Sequence, residues 1–153
     1  MLKNILIAAG LLTLTATAAI ARLPQHEGIR VDEAWSRPAA AGTNGAGFFT
    51  ITNPGPQADR LLSVSCPLAD TVEMHQTSMA DGIMSMRRIE SGVTLPPGQS
   101  VIFEPGSRHL MLLGLRSALR AGGTVPLTFN LASGKRLSIV ATVRLAPQPS
   151  RTR

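Results

Sequence analysis

The sequence of 153 residues has one cysteine, no tyrosine and few aromatic side chains, which make up 3% of the chain. A single cysteine cannot form a disulfide within the chain, so a folded domain has to be stabilised by its apolar core. Apolar residues account for 44% of the sequence, which is enough to build that core. The formal net charge is +6, but the basic residues are scattered singly and aromatic partners are scarce, so we expect no nucleic-acid binding.

The one long uncharged segment lies near the N-terminus. Residues 4–21 follow Lys3, carry no charge and end in small residues that suit signal-peptide cleavage. We therefore expect a signal peptide over residues 1–21 and an exported, periplasmic protein, rather than an ordinary buried helix. Threonines dilute this segment and no cysteine lies at the cleavage site, so neither a membrane span after signal removal nor a lipid anchor is expected.

Frequent glycine, proline, asparagine and aspartate residues divide the rest of the chain into pieces that are too short for helices. This pattern favours an all-β fold, a two-sheet β-sandwich of nine short strands. We expect one monomeric domain over residues 22–145 and a disordered tail over residues 146–153. Only residues 115–121 have a helix-like pattern, a turn or two long. The predicted strands are Gly28–Trp35, Ala46–Thr52, Leu61–Ser65, Thr71–Gln76, Ile83–Arg88, Val101–Phe103, His109–Gly114, Val125–Leu131 and Arg136–Val143.

The methionines are concentrated in one part of the chain. Apart from Met1, all of them lie between residues 74 and 111, and two of the three histidines lie there too. Alternate side chains of a β-strand share a face, so His109 and Met111 present an imidazole and a thioether side by side. This pair predicts half of a metal site.

A second pair of candidate ligands flanks a predicted hairpin turn. A four-residue loop over Met79–Gly82, which ends in a turn-forming Asp-Gly pair, places His75 opposite Met86 and Thr77 opposite Met84. A change in loop length would alter this register. The hairpin therefore supplies a second imidazole and a second thioether.

Two imidazoles and two thioethers favour Cu(I) over the common divalent cations, because a thioether is a soft and neutral ligand. Methionine also resists oxidation better than cysteine outside the cytosol. Methionine is equally a common core residue, and the alternation assigns Met74 to the core. Met79 and Met84 are either auxiliary ligands or packing residues.

Charged residues lie close to the candidate ligands. Glu73 shares a face with His75, so it either orients that imidazole or is an exposed charge. Arg87, Arg88 and Arg108 are adjacent to ligands in sequence, and they form either a basic rim that attracts an acidic partner or a solvated surface.

The run Glu73–His75, then Met86, and then Pro105–Leu115 together resemble the PCuAC family of bacterial periplasmic copper chaperones. In that family a histidine is followed by ten residues, a methionine, about twenty-one residues and H-x-M; here 22 residues separate Met86 from His109, one more than usual. Further similarity lies in segments 34–38, 45–53 and 127–143.

The resemblance implies a cupredoxin-like or immunoglobulin-like β-sandwich that binds a Cu(I) ion through His75, Met86, His109 and Met111. It also implies delivery of copper towards cytochrome c oxidase, with subunit II or a Sco-like protein as the copper acceptor. The expected function is thus that of a metallochaperone and not of an enzyme, and the sequence contains no familiar catalytic motif.

Two other functions are compatible with the residues. A cupredoxin-type electron carrier would use Cys66 as a thiolate ligand, although this cysteine precedes every other candidate and is more typical of a small buried residue. A β-sandwich without metal would be an interaction module whose methionines are packed inside. His26 is expected to be exposed and outside the site.

Overall fold

The structure, a computed structural model, describes residues 28–145, which form ten β-strands and no helix. The predicted signal peptide, the predicted tail and His26 lie outside these residues. No helix in the described part of the chain is long and apolar enough to cross a membrane. The strands are β1 (Arg30–Ser36), β2 (Gly45–Asn53), β3 (Asp59–Ser65), β4 (Ala69–Ala80), β5 (Ile83–Arg88), β6 (Val93–Leu95), β7 (Gln99–Phe103), β8 (Arg108–Leu115), β9 (Thr124–Leu131) and β10 (Arg136–Val143).

The strands form one mixed hydrogen-bonded sheet in the order β5-β4-β8-β2-β1-β10-β9-β3-β6. Strands β1 and β10 are parallel, and the other paired strands are antiparallel. The sheet divides along β2, because residues 45–47 pair with β8 whereas residues 49–53 pair with β7. This division lets the sheet fold over its own core as a cupredoxin-like β-sandwich.

Three phenylalanines show how the two halves of the sandwich meet. The Phe49 ring stacks on Phe103, with ring centroids 4.2 Å apart, and meets the edge of Phe129 at 4.8 Å. Phe129 lies on β9, three strands away from β2 in the sheet order, so only a curled sheet brings these rings together. All three are almost fully buried, and each burial is worth roughly 1.5–3 kcal/mol.

The nine predicted strands are all present; β5 and β10 have the predicted bounds and the other seven have shifted ends. Strand β6 is an additional strand that the sequence analysis missed. It has only three residues, too few for a periodic pattern. The expected helical turn over residues 115–121 is wrong. Leu119 there is buried and forms an isolated β-bridge with Ala39, so its contact with the sandwich outweighs the local helical preference.

Candidate metal centre

Strands β4 and β8 present two chemically different faces. On the inner face, side chains such as Met74 are buried in the main core, as the alternation predicts. On the outer face, Glu73 lies opposite Met111 and His75 lies opposite His109. The period-two pattern thus brings both candidate imidazoles and one candidate thioether to the same face of the sheet.

The ring of His109 is held in one tautomer. His109 is 6% exposed, and its Nδ1 lies 3.2 Å from the carbonyl oxygen of Ser107. Because a carbonyl oxygen can only accept a hydrogen bond, Nδ1 carries the proton and Nε2 retains its lone pair. The same carbonyl accepts a hydrogen bond from the Thr77 N–H, which anchors it to β4. Nε2 is therefore the atom of His109 that can bind a metal.

Glu73 holds the ring of His75 in the other tautomer, with the proton on Nε2 instead of Nδ1. Its Oε2 lies 2.9 Å from Nε2 of His75, and its Oε1 lies 2.9 Å from Nη1 of Arg88. The carboxylate accepts a hydrogen bond from the Nε2–H group, which leaves the lone pair on Nδ1. Nδ1 is buried and has no hydrogen-bond partner within residues 28–145. A buried polar atom without a partner is costly, and a metal ion would satisfy it.

The two imidazoles are close enough for both to bind one ion at a wide nitrogen–metal–nitrogen angle. Their ring centroids are 6.0 Å apart and the ring planes are inclined by 37°. A metal about 2.0 Å from each ligating nitrogen lies about 3.1 Å from each centroid, so two ligating rings cannot be separated by much more than about 6.3 Å. The observed spacing falls within this limit.

The two candidate thioethers flank the imidazoles from opposite sides. Met111 follows His109 by two residues on β8 and is partly buried. Met86 lies on β5 opposite Thr77, one diagonal step from His75 on the same face, and is 50% exposed. Diagonal neighbours across two strands are about 7–8 Å apart, within reach of a long and unbranched side chain. Met86 is thus the most exposed of the four candidate ligands.

The predicted register of this hairpin is wrong by two residues. His75 lies opposite Arg88, and Met86 lies opposite Thr77. The turn contains only Asp81 and Gly82, whose φ angles of 53° and 75° are both left-handed, as a two-residue hairpin turn requires. Because the shift is an even number of residues, every side chain stays on its predicted face.

An aromatic cluster behind His109 was missed by the sequence analysis. The Phe48 ring lies 6.5 Å from that of His109, and the Trp35 ring lies 4.5 Å from that of Phe48. A bulge in β1, with Glu33 at a φ of 52°, shifts the register by one residue so that Trp35 instead of Ala34 lies opposite Phe48. Trp35 and Phe48 are buried outside the main core cluster, and together they support the imidazole.

Of the two interpretations of the arginines near the ligands, the basic rim does not fit their positions. Arg88 lies on the outer face, as the alternation predicts, but its charge is paired with Glu73. Arg87 and Arg108 both lie opposite Gln76, and hence on the other face of the hairpin. The solvated-surface interpretation applies to these two residues.

Two arginines that the sequence analysis did not select cover the aromatic cluster. The guanidinium of Arg37 lies 5.4 Å from the Phe48 ring centroid, and that of Arg144 lies 5.0 Å from the Trp35 ring centroid. Both distances are in the range of cation–π interactions. The positive charge beside the candidate centre therefore comes from distant parts of the sequence.

Cys66 lies away from the candidate centre. It is 7% exposed and belongs to the main core, whereas His75 and His109 lie on the outer face of the sheet. Burial raises the pKa of the Cys66 thiol, which disfavours the thiolate that a blue-copper site needs. Within residues 28–145 no three His, Cys, Asp or Glu side chains are grouped so that they could hold a metal, so the thioethers are the candidate ligands beside the two imidazoles.

Residues 29–143 match the family described as "Putative lipoprotein LpqE-like". The chain is 29% identical to "Putative lipoprotein Lxx21020" of Leifsonia xyli subsp. xyli (strain CTCB07) over 150 residues, which cover 94% of this chain and 90% of the relative. This relative is aligned over most of both chains.

Solved structures show the same architecture. The copper-bound PCuAC domain from PmoF2 is 22% identical, with a TM-score of 0.64 over 77% of this chain and 93% of that domain. The solution structure of CuI-DR1885 from Deinococcus radiodurans is 27% identical, with a TM-score of 0.56 over 83% of each chain. The chain therefore belongs to the LpqE-like family, and its domain has the fold of PCuAC domains.

Proposed function

We propose that this protein is an exported Cu(I) metallochaperone that binds one Cu(I) ion through His75, Met86, His109 and Met111. The observation that carries the proposal is the imidazole pair: Nδ1 of His75 is buried and unpartnered, and the His109 ring lies 6.0 Å away with its Nε2 lone pair available. The CuI-DR1885 structure shares this fold at 27% identity, which supports Cu(I) as the ion. The lipoprotein relatives support export.

The proposed mechanism is ligand exchange, without catalysis of a reaction. Met86 is half exposed whereas His109 is buried, so an incoming ligand from an acceptor reaches Met86 first. Replacement of one thioether at a time keeps copper bound throughout the transfer. The neutral ligands leave the complex with the single positive charge of the ion, and the exchange of one ligand for another involves no change of oxidation state.

The proposed acceptor is the copper site of cytochrome c oxidase subunit II, or a Sco-like protein in the periplasm. Arg37 and Arg144 on the outer face would attract an acidic acceptor and make the transfer rate sensitive to salt. The test is to mix the Cu(I)-loaded protein with the metal-free soluble domain of subunit II without oxygen and to measure copper in each after separation. Copper that stays with this protein would contradict this acceptor.

The binding step is tested by anaerobic titration with Cu(I) against a chelator of known affinity. We expect one tight Cu(I) per chain, and His109→Ala should lower its affinity by more than the roughly 10–100-fold that the loss of an outer hydrogen-bond partner costs. Met74→Leu is the matched control, because it removes a thioether from the inner face and should leave the affinity unchanged.

Each rival function has its own result in the same experiment. Unchanged affinity in His109→Ala would overturn the proposed ligand set. An intense blue absorption band after oxidation that is lost in Cys66→Ser would show an electron carrier. Absence of stoichiometric copper would show an interaction module without metal.

A further inference from the structure

The tip of the β4–β5 hairpin exposes methionines that the proposed centre does not use. Met79 and Met84 are 67% and 64% exposed, and they are paired directly across the hairpin. Scattered exposed apolar residues are ordinary, but a directly paired set on one surface calls for a function. Neither side chain packs against the main core.

The register places these thioethers on the outer face together with Met86. Met84 and Met86 are two residues apart on β5, so their side chains point to the same side, about 6.7 Å apart along the strand. Met79 shares that side because it lies opposite Met84, and it is diagonal to Met86. Three thioethers therefore cluster on one side of the hairpin.

The two-residue turn decides how close the thioethers are. Ala80 and Ile83 close the turn, so the next pair, Met79 and Met84, is of the type without backbone hydrogen bonds. The Cα atoms of such a pair are only about 4.5 Å apart, and their side chains are closer than in the alternate type of pair. Each methionine has three rotatable bonds, which lets its sulfur adjust to an ion.

We propose that Met79, Met84 and Met86 form a second Cu(I) site, an all-thioether site at the hairpin tip that shares Met86 with the histidine centre. The three ligands are soft, neutral and exposed, so they suit capture of a monovalent soft ion from solution or from a donor protein. Met86 is diagonal to Met79 on one side and to His75 on the other. An ion held at the tip can thus exchange into the histidine centre while it remains bound to Met86.

The site is tested in a His75→Ala/His109→Ala background, which removes both imidazoles of the main centre. We expect this protein to keep one Cu(I) ion, with only sulfur ligands from the protein in the X-ray absorption spectrum. Adding Met79→Leu/Met84→Leu should weaken binding by about tenfold or more, which corresponds to roughly 1.4 kcal/mol or more. No retained Cu(I), or an affinity that the leucine substitutions leave unchanged, would overturn the proposal.

A composition-matched variant tests the geometry. Ile83 lies on the opposite face of the same hairpin tip and is 70% exposed. The double substitution Ile83→Met/Met84→Ile keeps the number of tip methionines but moves one thioether to the wrong face. We expect it to lower the Cu(I) affinity of the second site as much as the single substitution Met84→Leu would. Full retention of this affinity would overturn the three-thioether arrangement.

The wild-type protein provides a test that does not depend on the folding of the histidine variants. With ¹³C-labelled methionine methyl groups, the second equivalent of Cu(I) should shift the resonances of Met79 and Met84, which hold this ion by themselves while Met86 is bound at the histidine centre, whereas the resonance of Met74 stays in place. Resonances of Met79 and Met84 that do not move would overturn the second site. A failure of the main proposal is distinguishable, because it would appear in the first equivalent as unchanged affinity in His109→Ala.

Discussion

Met74 and Met84 belong to the same hairpin and are the same residue type, yet they have opposite environments. Met74 is 5% exposed and belongs to the main core, whereas Met84 is 64% exposed on the outer face. The difference follows from strand parity and from the length of the hairpin, whose tip extends beyond the core. A methionine of this hairpin is therefore buried in the core or exposed to solvent according to its face and its distance from the tip.

The same division applies to the whole β4–β8 pair. The inner face of this pair buries apolar side chains such as Leu110 and Leu112 in the core, and its polar pair Gln76 and Arg108 lies towards the hairpin end. The outer face contains the Glu73–His75 pair and His109, whose ring nitrogens are held in defined tautomers. Stability and metal binding should thus be separable by mutation, and the following predictions test this separation.

The largest expected effect is on stability at the inner face. Met74→Ala should lower the free energy of unfolding by about 2–5 kcal/mol, because it leaves a cavity in the core. Met84→Ala should change it by no more than about 0.5 kcal/mol, because that side chain is exposed. Urea unfolding monitored by Trp35 fluorescence measures both. Equal losses in the two variants would contradict the assignment of the faces.

An intermediate effect is expected at Glu73, which we treat as a positioning residue for His75. Glu73→Ala should lower Cu(I) affinity by about 10–100-fold, as the loss of an outer hydrogen-bond partner does in other metal sites. Glu73→Gln keeps an oxygen acceptor and should lose less. The changes in the free energy of unfolding of the two variants are not expected to correlate with their losses of Cu(I) affinity.

The tautomer of His75 distinguishes a positioning role of Glu73 from a purely structural one, because loss of a structural residue would leave the tautomer unchanged. In the metal-free protein, ¹⁵N NMR should show the proton on Nε2 of His75, and Glu73→Ala should give a mixture of tautomers. Glu90→Ala, which removes another carboxylate, is the matched control and should leave both tautomer and affinity unchanged. A His75 tautomer that survives Glu73→Ala would refute the positioning role.

The smallest expected effect lies outside both faces, at Asp59. Burial by itself raises the pKa of Asp59. This effect is outweighed by hydrogen bonds from the Ser133 hydroxyl and from the N–H groups of Arg60 and Ser133, together with the charge of Lys135. The net result is a pKa below the ordinary value of 3.8. A lowered pKa in the folded state stabilises the protein above the unfolded pKa, and this contribution disappears as the pH falls through the folded pKa.

Asp59→Asn should therefore lower stability near neutral pH by less than about 1 kcal/mol, since the group is near the surface. The difference from wild type should shrink below about pH 4, which unfolding curves at several pH values would reveal. Ser133→Ala removes one of the donors and should flatten the same pH dependence in part. A difference that grows on acidification would show that the sign is wrong.

Much of the fold and of the candidate centre could be predicted from the sequence, because strand parity is a local property. Alternation alone places Met111 on the face of His109 and Met74 on the face opposite His75, and the pairing of β4 with β8 then brings both histidines to one face. An error of two residues in register does not change the face on which a side chain lies. The wrong length of the hairpin loop therefore did not affect the predicted faces.

The features that escaped prediction depend on long-range contacts or on single-residue irregularities. The bulge at Glu33 shifts the residues of β1 that follow it to the opposite face, so an uninterrupted alternation pattern could not place Trp35 beside Phe48. The tautomers of the histidines depend on Ser107 and Glu73, and side-chain geometry of this kind is not encoded in spacing. Strand β6 is too short to have a pattern at all.

The hydrogen bonds that hold both imidazoles come from Glu73 and Ser107 of the protein itself, and this has a consequence for how an ion would be bound and released. These hydrogen bonds restrict the rotation of both rings, so at the proposed centre little conformational entropy of the imidazoles remains to be lost when an ion binds. Only Met86 has to be ordered from an exposed position. Loading and unloading then require the movement of one flexible side chain, and the β-sandwich can serve as a rigid support through many cycles.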